Sequence, residues 1–289
     1  MAVGTIGIVG LGKMGLPMAG HLKRAGHSVT GYDPSEATRR AALAQDIPLA
    51  TSVAELAQAT AGTLVVVGTD DQVIDVCCGD KGIIAAAAPG HVIFICSTVS
   101  PETSILVGER AAEAGIDVLD ATMCRGEVGA VEGDLLVMGA GREDILQAWS
   151  HTFSCFASDV VHLGELGAGQ VGKLVNNLLV WVACVGNYEA LRLGMRLGVD
   201  QEKLRTALLL AGGDNQMMRT WHRPRPMPWA EDDMSIVMER ADQLKLPLPL
   251  AGLVRELIKG IKIDKADWGT DPESYESMFD FVEWVEAEH

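Results

Sequence analysis

Gly7-Ile8-Val9-Gly10-Leu11-Gly12-Lys13-Met14-Gly15 decides the fold: a short apolar run enters glycines spaced GxGxxG, and a helical pattern over Pro17–Ala25 follows at once. Glycines at these positions permit a tight strand-to-helix turn and let the backbone come close to a pyrophosphate, whose charge the exposed N–H groups of the helix start can hold. Gly10, Leu11, Gly12, Lys13 and Met14 are therefore the expected cofactor-binding turn. The next apolar run, Ser28–Tyr32, ends at Asp33, where an acid accepts hydrogen bonds from the adenine ribose hydroxyls. Strand, glycine turn, helix and acid together predict a Rossmann domain that binds a nicotinamide dinucleotide. Asp33 favours NAD. Arg39 and Arg40 stand at the start of the following helix and are able to meet a 2′-phosphate, so NADP is disfavoured rather than excluded.

The same alternation continues outward. From Thr5 to about Leu163, β-rich apolar runs alternate with helical patterns, as βαβ units of a parallel sheet do. Strands are expected at Ile6–Val9, Ser28–Tyr32, Leu64–Val67, His91–Cys96, Asp117–Leu119, Leu135–Gly139 and Val160–His162. Val171–Leu197 has no proline and is apolar all round the helical wheel, which predicts a long helix buried on every side and joining two domains. Beyond it, Gln201–Leu210, Asp233–Leu244, Pro249–Ile261 and Pro272–Glu288 read as helices, and the prolines of His222–Pro228 predict an extended segment. The fold expected is α/β, with an N-terminal Rossmann domain (1–163) whose sheet is mostly parallel and an all-α C-terminal domain (164–289).

Bulk composition narrows the partners. A chain of 289 residues, 48% apolar and 21% charged, is long enough for two cores. Its formal net charge of -16 opposes nucleic acid and anionic membrane, and leaves a small-molecule substrate as the expected partner. The start of the chain lacks the features of a secretory signal, no stretch reads as a membrane span, and a cytoplasmic location is expected. Six scattered cysteines without a CxxC pair predict reduced thiols and no metal site.

Three stretches carry a family resemblance: Gly7–Gly15, Ser97-Thr98-Val99-Ser100-Pro101, and Gly167-Ala168-Gly169-Gln170-Val171-Gly172-Lys173-Leu174-Val175-Asn176-Asn177. In order and spacing they resemble the β-hydroxyacid dehydrogenases, the family of 3-hydroxyisobutyrate, tartronate semialdehyde and 6-phosphogluconate dehydrogenases. The resemblance implies that Lys173 is the general acid and base, that Asn177 orients the substrate oxygen, and that Thr98 lies near the nicotinamide. It also places Thr69 and Asp70 where a Leu-Pro pair usually meets the cofactor. The residues support this chemistry on their own. Lys173 and Asn177 are i and i+4 on one helix, with Trp181, Cys184 and Tyr188 along the same face. A lysine desolvated among apolar neighbours has a lowered pKa, which suits it to exchange a proton with a carbonyl or alkoxide oxygen.

The chain also departs from the family pattern. The substrate loop, usually Asp-Ala-Pro-Val-Ser-Gly-Gly with serine and glycine amides on the substrate carboxylate, reads Asp120-Ala121-Thr122-Met123-Cys124-Arg125-Gly126. Cys124, Arg125, Gly126 and Trp181 are the expected substrate contacts, with the Arg125 fork either anchoring a carboxylate, pairing with Glu127 or facing solvent. Asp232 stands where relatives carry a lysine, and Trp181, Trp221 and Trp229 suggest an aromatic wall. Three alternatives remain at this level: an imine reductase, which Lys173 argues against; a cofactor-binding interaction protein without catalysis; and Cys124 as a thiohemiacetal-forming nucleophile, for which no base is identifiable. The long apolar helix and the stripe Tyr275, Met278, Phe279, Val282 and Val285 predict a homodimer or higher homo-oligomer, and Glu283, Glu286 and Glu288 a solvated acidic face.

Overall fold

The computed structural model describes residues 4–223, 227, 229–267 and 277–288. Along the chain the elements are β1 (Ile6–Val9), α1 (Gly15–Arg24), β2 (Val29–Tyr32), α2 (Glu36–Ala44), α3 (Val53–Ala59), β3 (Gly62–Val65), α4 (Asp70–Cys78), α5 (Ile83–Ala86), β4 (Val92–Ile95), α6 (Pro101–Ala112) and β5 (Asp117–Cys124). There follow α7 (Gly126–Glu132), β6 (Leu135–Ala140), α8 (Glu143–Ala148), α9 (Ser150–Phe153), β7 (Ala157–His162), α10 (Ala168–Arg196), α11 (Gln201–Leu208), α12 (Gln216–Arg219), α13 (Ala230–Gln243), α14 (Pro249–Asp267) and α15 (Met278–Glu288). The chain forms two compact units, Met1–Lys173 and Leu174–His289.

The first unit is built on one sheet of order β2-β1-β3-β4-β5-β6-β7, parallel throughout except where β6 runs antiparallel to β5. A single parallel bridge sets Leu49 against Gly31 on the outer side of β2. Its hydrogen bonds, Gly31 N–H to Pro48 O and Ala50 N–H to Gly31 O, are a rudimentary extra strand. Counted as one, it gives the doubly wound order whose direction reverses beside β1, and ligands bind at the carboxyl ends of strands at such a reversal. Both faces of the sheet are covered, so its strands alternate between two cores instead of between core and water. Along β4, Val92 and Phe94 face one core with Leu22, Phe153 and Phe156, while Ile93 and Ile95 face the other with Val73, Val107 and Ala111. Phe94 meets Trp149 and Phe153 edge-on, at ring-centroid separations of 5.0 and 5.1 Å.

Three strands differ from their sequence reading by two residues or more, among them β7, which starts at Ala157 instead of Val160. β3 starts at Gly62 instead of Leu64, because Gly62 and Thr63 already pair with Ile6 and Gly7. β5 runs to Cys124, five residues beyond the expected Leu119, because antiparallel pairing with β6 continues from Asp120 opposite Ala140 to Cys124 opposite Leu136. Most of the expected substrate loop is thus strand.

The second unit is helical, with a core that includes Trp181, Tyr188, Met217, Trp221, Met234, Val254, Ile258 and Phe281. Asn215 caps the single-turn α12, which the sequence reading missed, by accepting the Met218 N–H at 2.8 Å. The C-terminal stripe turns inward: Met278, Val282 and Val285 are buried in this unit's own core, so they offer no face to a partner. Tyr275 and most of the Pro-rich stretch at 224–228 fall outside the described residues. Glu286 is no solvated acid either; it is nearly buried and paired with Arg192 and Arg196.

α10 begins in the first unit and runs on into the second. Contrary to the expectation of burial on every side, it exposes a stripe at i, i+4 and i+8: Val171 is 49%, Val175 52% and Leu179 64% exposed. By length and composition α10 is also apolar enough to cross a membrane, although its opposite face, including Leu174, Trp181, Cys184, Val185 and Leu191, is that of a core helix.

Candidate active site

The glycine turn after β1 divides its work among three residues. Gly10, at φ +93°, lies so close to the Val66 carbonyl that a Cβ would collide with it, and a Cβ on Gly15 would strike the Gly10 carbonyl. These two glycines let strand, turn and α1 pack together. Gly12 is different: a Cβ there would meet nothing within 4 Å. Its backbone faces open space, and the amides of Gly12 and Met14 find no acceptor among the described residues. An open glycine with unsatisfied N–H groups at a helix start fits a pyrophosphate. Leu11, in contrast, turns its side chain into the core, and its N–H is taken by Asp33 Oδ2 at 2.9 Å. Lys13 reaches Glu127 of α7 at 3.6 Å.

Asp33 caps the end of β2. Its second oxygen, Oδ1, accepts the Ser35 N–H at 2.8 Å, so the carboxylate is fixed by two main-chain donors and keeps lone pairs for a ribose. Arg39 donates to the carbonyls of Asp33 and Pro34, and Arg40 pairs with Glu36 one turn away. Both arginines are thereby engaged locally.

Thr69 and Asp70 hold protein. Thr69 caps α4 through the Gln72 N–H, and Asp70 Oδ1 accepts from the Ser100 N–H at 2.9 Å and the Thr103 hydroxyl at 2.5 Å, stapling α4 to the start of α6. Their side chains thus serve the ends of two helices. Thr98 sits half-buried in the turn after β4. Ser97 ties that turn to β3: its Oγ accepts the Val67 N–H at 2.8 Å and donates to Val65 O at 3.3 Å.

Arg125 is held by local partners. It occupies the left-handed region at φ +82°, a costly place for a residue that carries a Cβ. Its guanidinium donates to Asp134 Oδ1 and O at 3.0 Å each, to Ser158 Oγ at 2.6 Å and to Asp159 Oδ2 at 2.5 Å. The fork expected to anchor a substrate carboxylate is therefore occupied, and by none of the partners the sequence suggested. That pairing holds the Asp159 carboxyl below its ordinary pKa. Cys124 is buried at the end of β5, whereas Gly126 has open space where a Cβ would be.

Lys173 is half-buried and makes no ion pair among the described residues. The glycines before it seat α10. A Cβ on Gly169 would lie 2.5 Å from Asp120 Cβ and 2.8 Å from Met138 O, and one on Gly172 would collide with Leu163. Asp120 Oδ2 accepts the N–H groups of Gly167 at 2.7 Å and Gly169 at 3.1 Å, and Thr122 Oγ1 donates to Gly169 O at 3.0 Å. Burial pushes the Asp120 carboxyl above its ordinary pKa, against the opposing pull of these amides. Asp120 and Thr122 are positioning groups that the sequence reading passed over, because their partners lie 47 to 49 residues away.

One turn beyond Lys173, Asn177 is 5% exposed. Its Oδ1 accepts from the Asn176 amide at 3.2 Å, while its Nδ2 is buried with no partner. A buried amide donor left unmade is costly unless a ligand completes it. Trp181, the next residue on this face, donates its indole N–H to Asp233 at 3.0 Å, whereas Asp232 is exposed and Glu231 pairs with Lys262. Trp221 lies in the helical core, away from any wall it was expected to form, and Trp229 is exposed.

Comparison with known proteins bears on this geometry. Residues 5–164 match the model of the NAD-binding domain of 6-phosphogluconate dehydrogenase, and residues 167–271 that of the NAD-binding domain of NADP-dependent 3-hydroxyisobutyrate dehydrogenase. The L-threonate dehydrogenase of Cupriavidus necator is 32% identical across 88% of this chain and 89% of its own. The chain belongs to the β-hydroxyacid dehydrogenase family. The 2-(hydroxymethyl)glutarate dehydrogenase of Eubacterium barkeri is 29% identical across 88% of each chain. A solved 3-hydroxyisobutyrate dehydrogenase from Mycobacterium tuberculosis, in complex with L-serine, shares the fold with a TM-score of 0.82 over 99% of each chain at 24% identity. As a member of this family the chain is a nicotinamide-dependent oxidoreductase acting on CH–OH groups.

Proposed function

We propose that this dehydrogenase interconverts a small β-hydroxyacid and its carbonyl form, with Lys173 moving the proton and Asn177 holding the reacting oxygen. The observation that carries the reading is the buried, unpartnered Asn177 Nδ2 one helical turn from a lysine that has no ion pair among the described residues. Bound nicotinamide supplies or accepts the hydride. Lys173 Nζ donates to the oxygen as an alkoxide develops, and takes the proton back when the alcohol is oxidised. Asn177 Nδ2 donates to the same oxygen and fixes its direction. With the Arg125 fork spent, we assign the substrate carboxylate to the main chain at Cys124–Gly126, where Gly126 leaves open space. NAD is the preferred cofactor, because Asp33 presents a negative charge where NADP carries another, and Arg39 and Arg40 are held by local partners. The exposed α10 stripe supports a homodimer.

The test is oxidation of a panel of hydroxyacids, including 3-hydroxyisobutyrate, L-serine, L-threonate and 2-(hydroxymethyl)glutarate, with NAD and with NADP. Turnover of at least one acid, faster with NAD, is the expected result. No turnover with any of them, or a strong preference for NADP, overturns the substrate or the cofactor assignment respectively. A monomeric mass by light scattering at micromolar concentration contradicts the dimer.

A further inference from the structure

Gln170 is fully buried on the first turn of α10, three residues before Lys173. Both ends of its amide are used on one short stretch of backbone: Oε1 accepts the Val99 N–H at 3.1 Å and Nε2 donates to Ser97 O at 3.0 Å. The two bonds straddle Thr98. Glutamine is an expensive residue to bury, since it loses rotamer freedom and must leave no polar atom unpaired. Here it completes two backbone groups at a turn where β4 has ended and no strand is present to pair them. The turn is held from the other side by Ser97, bonded to the end of β3, and the α10 end of the link is held by Asp120 and Thr122.

The geometry points to Gln170 as a positioning residue, a clamp that fixes the Ser97–Val99 turn, and with it Thr98, at a set separation from Lys173. This rests on the reading of Lys173 as the proton-transferring group. Gln170 touches no reacting atom in this account; it acts by keeping the proton carrier and the turn in register. Misplacement by about 1 Å in an active site costs up to about 10²-fold in rate, so loss of the clamp falls on kcat.

Two variants test it. Gln170→Met keeps the volume and removes both bonds; kcat is expected to fall at least about tenfold, with the Kd for NADH and the KM for the acid each changing less than about threefold. Gln170→Glu is the sharper probe. When protonated, its carboxylic acid offers one acceptor and one donor, as the amide does; when ionised, it has no donor for Ser97 O and carries a buried charge. Burial raises the pKa of such a group, so the ratio of Gln170→Glu to wild-type kcat is expected to rise as pH falls. A Gln170→Met enzyme with wild-type kcat, or a Gln170→Glu ratio flat across pH, overturns the clamp and leaves Gln170 a packing residue whose loss shows only in Tm. Wild-type rates from the same assay report separately on the functional reading: an inactive wild type fails that reading, whereas an active wild type matched by Gln170→Met fails the clamp alone.

Discussion

Two glycine-rich turns in this chain have the same spacing and opposite uses. Gly10-x-Gly12-x-x-Gly15 holds its middle glycine open, with nothing within 4 Å of a built Cβ, whereas Gly167-x-Gly169-x-x-Gly172 packs its middle glycine onto Asp120 and Met138. The first is a cradle that leaves room for a ligand. The second is a seat, cut so that the first turn of α10 lies directly on β5 and β6. Spacing alone does not separate them. What does is whether the neighbouring strands pass the glycine or stop short of it, and that depends on sheet order rather than on local sequence.

This contrast sets the expected effects of mutation. Gly169→Ala forces a methyl against Asp120 and a main-chain carbonyl that cannot swing aside, so it destabilises by about 1–3 kcal/mol and abolishes most turnover even where the protein folds. Chemical denaturation together with kcat measures both; a Gly169→Ala protein of unchanged stability and rate contradicts the seat. Gly12→Ala should do the reverse. Stability stays within about 0.5 kcal/mol of wild type because the methyl meets nothing, while the Kd for NADH rises about tenfold because the methyl occupies the pyrophosphate's approach. Unchanged cofactor affinity in Gly12→Ala would remove the cradle.

The smallest effect belongs to Arg125. Arg125→Ala should leave the KM for the acid substrate within about threefold, because the guanidinium already serves Asp134, Ser158 and Asp159, and exposed ion pairs contribute little. The pH dependence has a definite sign. Asp159 is held below its ordinary value, so its contribution is present above the unfolded pKa of about 3.9 and is lost as pH falls through the lower folded value. The Tm difference between wild type and Arg125→Ala should therefore shrink as the pH is taken from 6 towards about 3. A difference that grows on acidification, or a KM that rises strongly, returns Arg125 to the substrate.

These outcomes also mark how far the sequence could be read. The strand, turn, helix and acid around Gly10–Asp33 were legible because every determinant lies within one βαβ unit and acts through neighbours close in the chain. The pairing of Lys173 with Asn177 was legible for the same reason, since helical periodicity alone puts them on one face. The partners of Arg125 were not legible, because Asp134 and Asp159 come together with it only once β5, β6 and β7 are aligned. The extension of β5 to Cys124 is likewise a property of its antiparallel neighbour β6. The C-terminal stripe showed the right period and the wrong destination: an apolar face says that something covers it, and Met278, Val282 and Val285 are covered by the helices of their own unit. The resemblance sets Thr69 and Asp70 against a Leu-Pro pair and so says nothing of their bonds at the starts of α4 and α6, although hydroxyl and carboxylate groups at helix starts favour capping.

In the proposed reaction Lys173 carries the proton, and the other roles depend on it. The direct measurement is kcat and the Kd for NADH of Lys173→Ala beside wild type, on whichever hydroxyacid the wild-type enzyme turns over fastest. The expected result is a cofactor Kd within about threefold and a kcat lowered by about 10²–10⁴-fold, the range for loss of a general acid and base. Undiminished kcat in Lys173→Ala, with the cofactor bound as before, would contradict it.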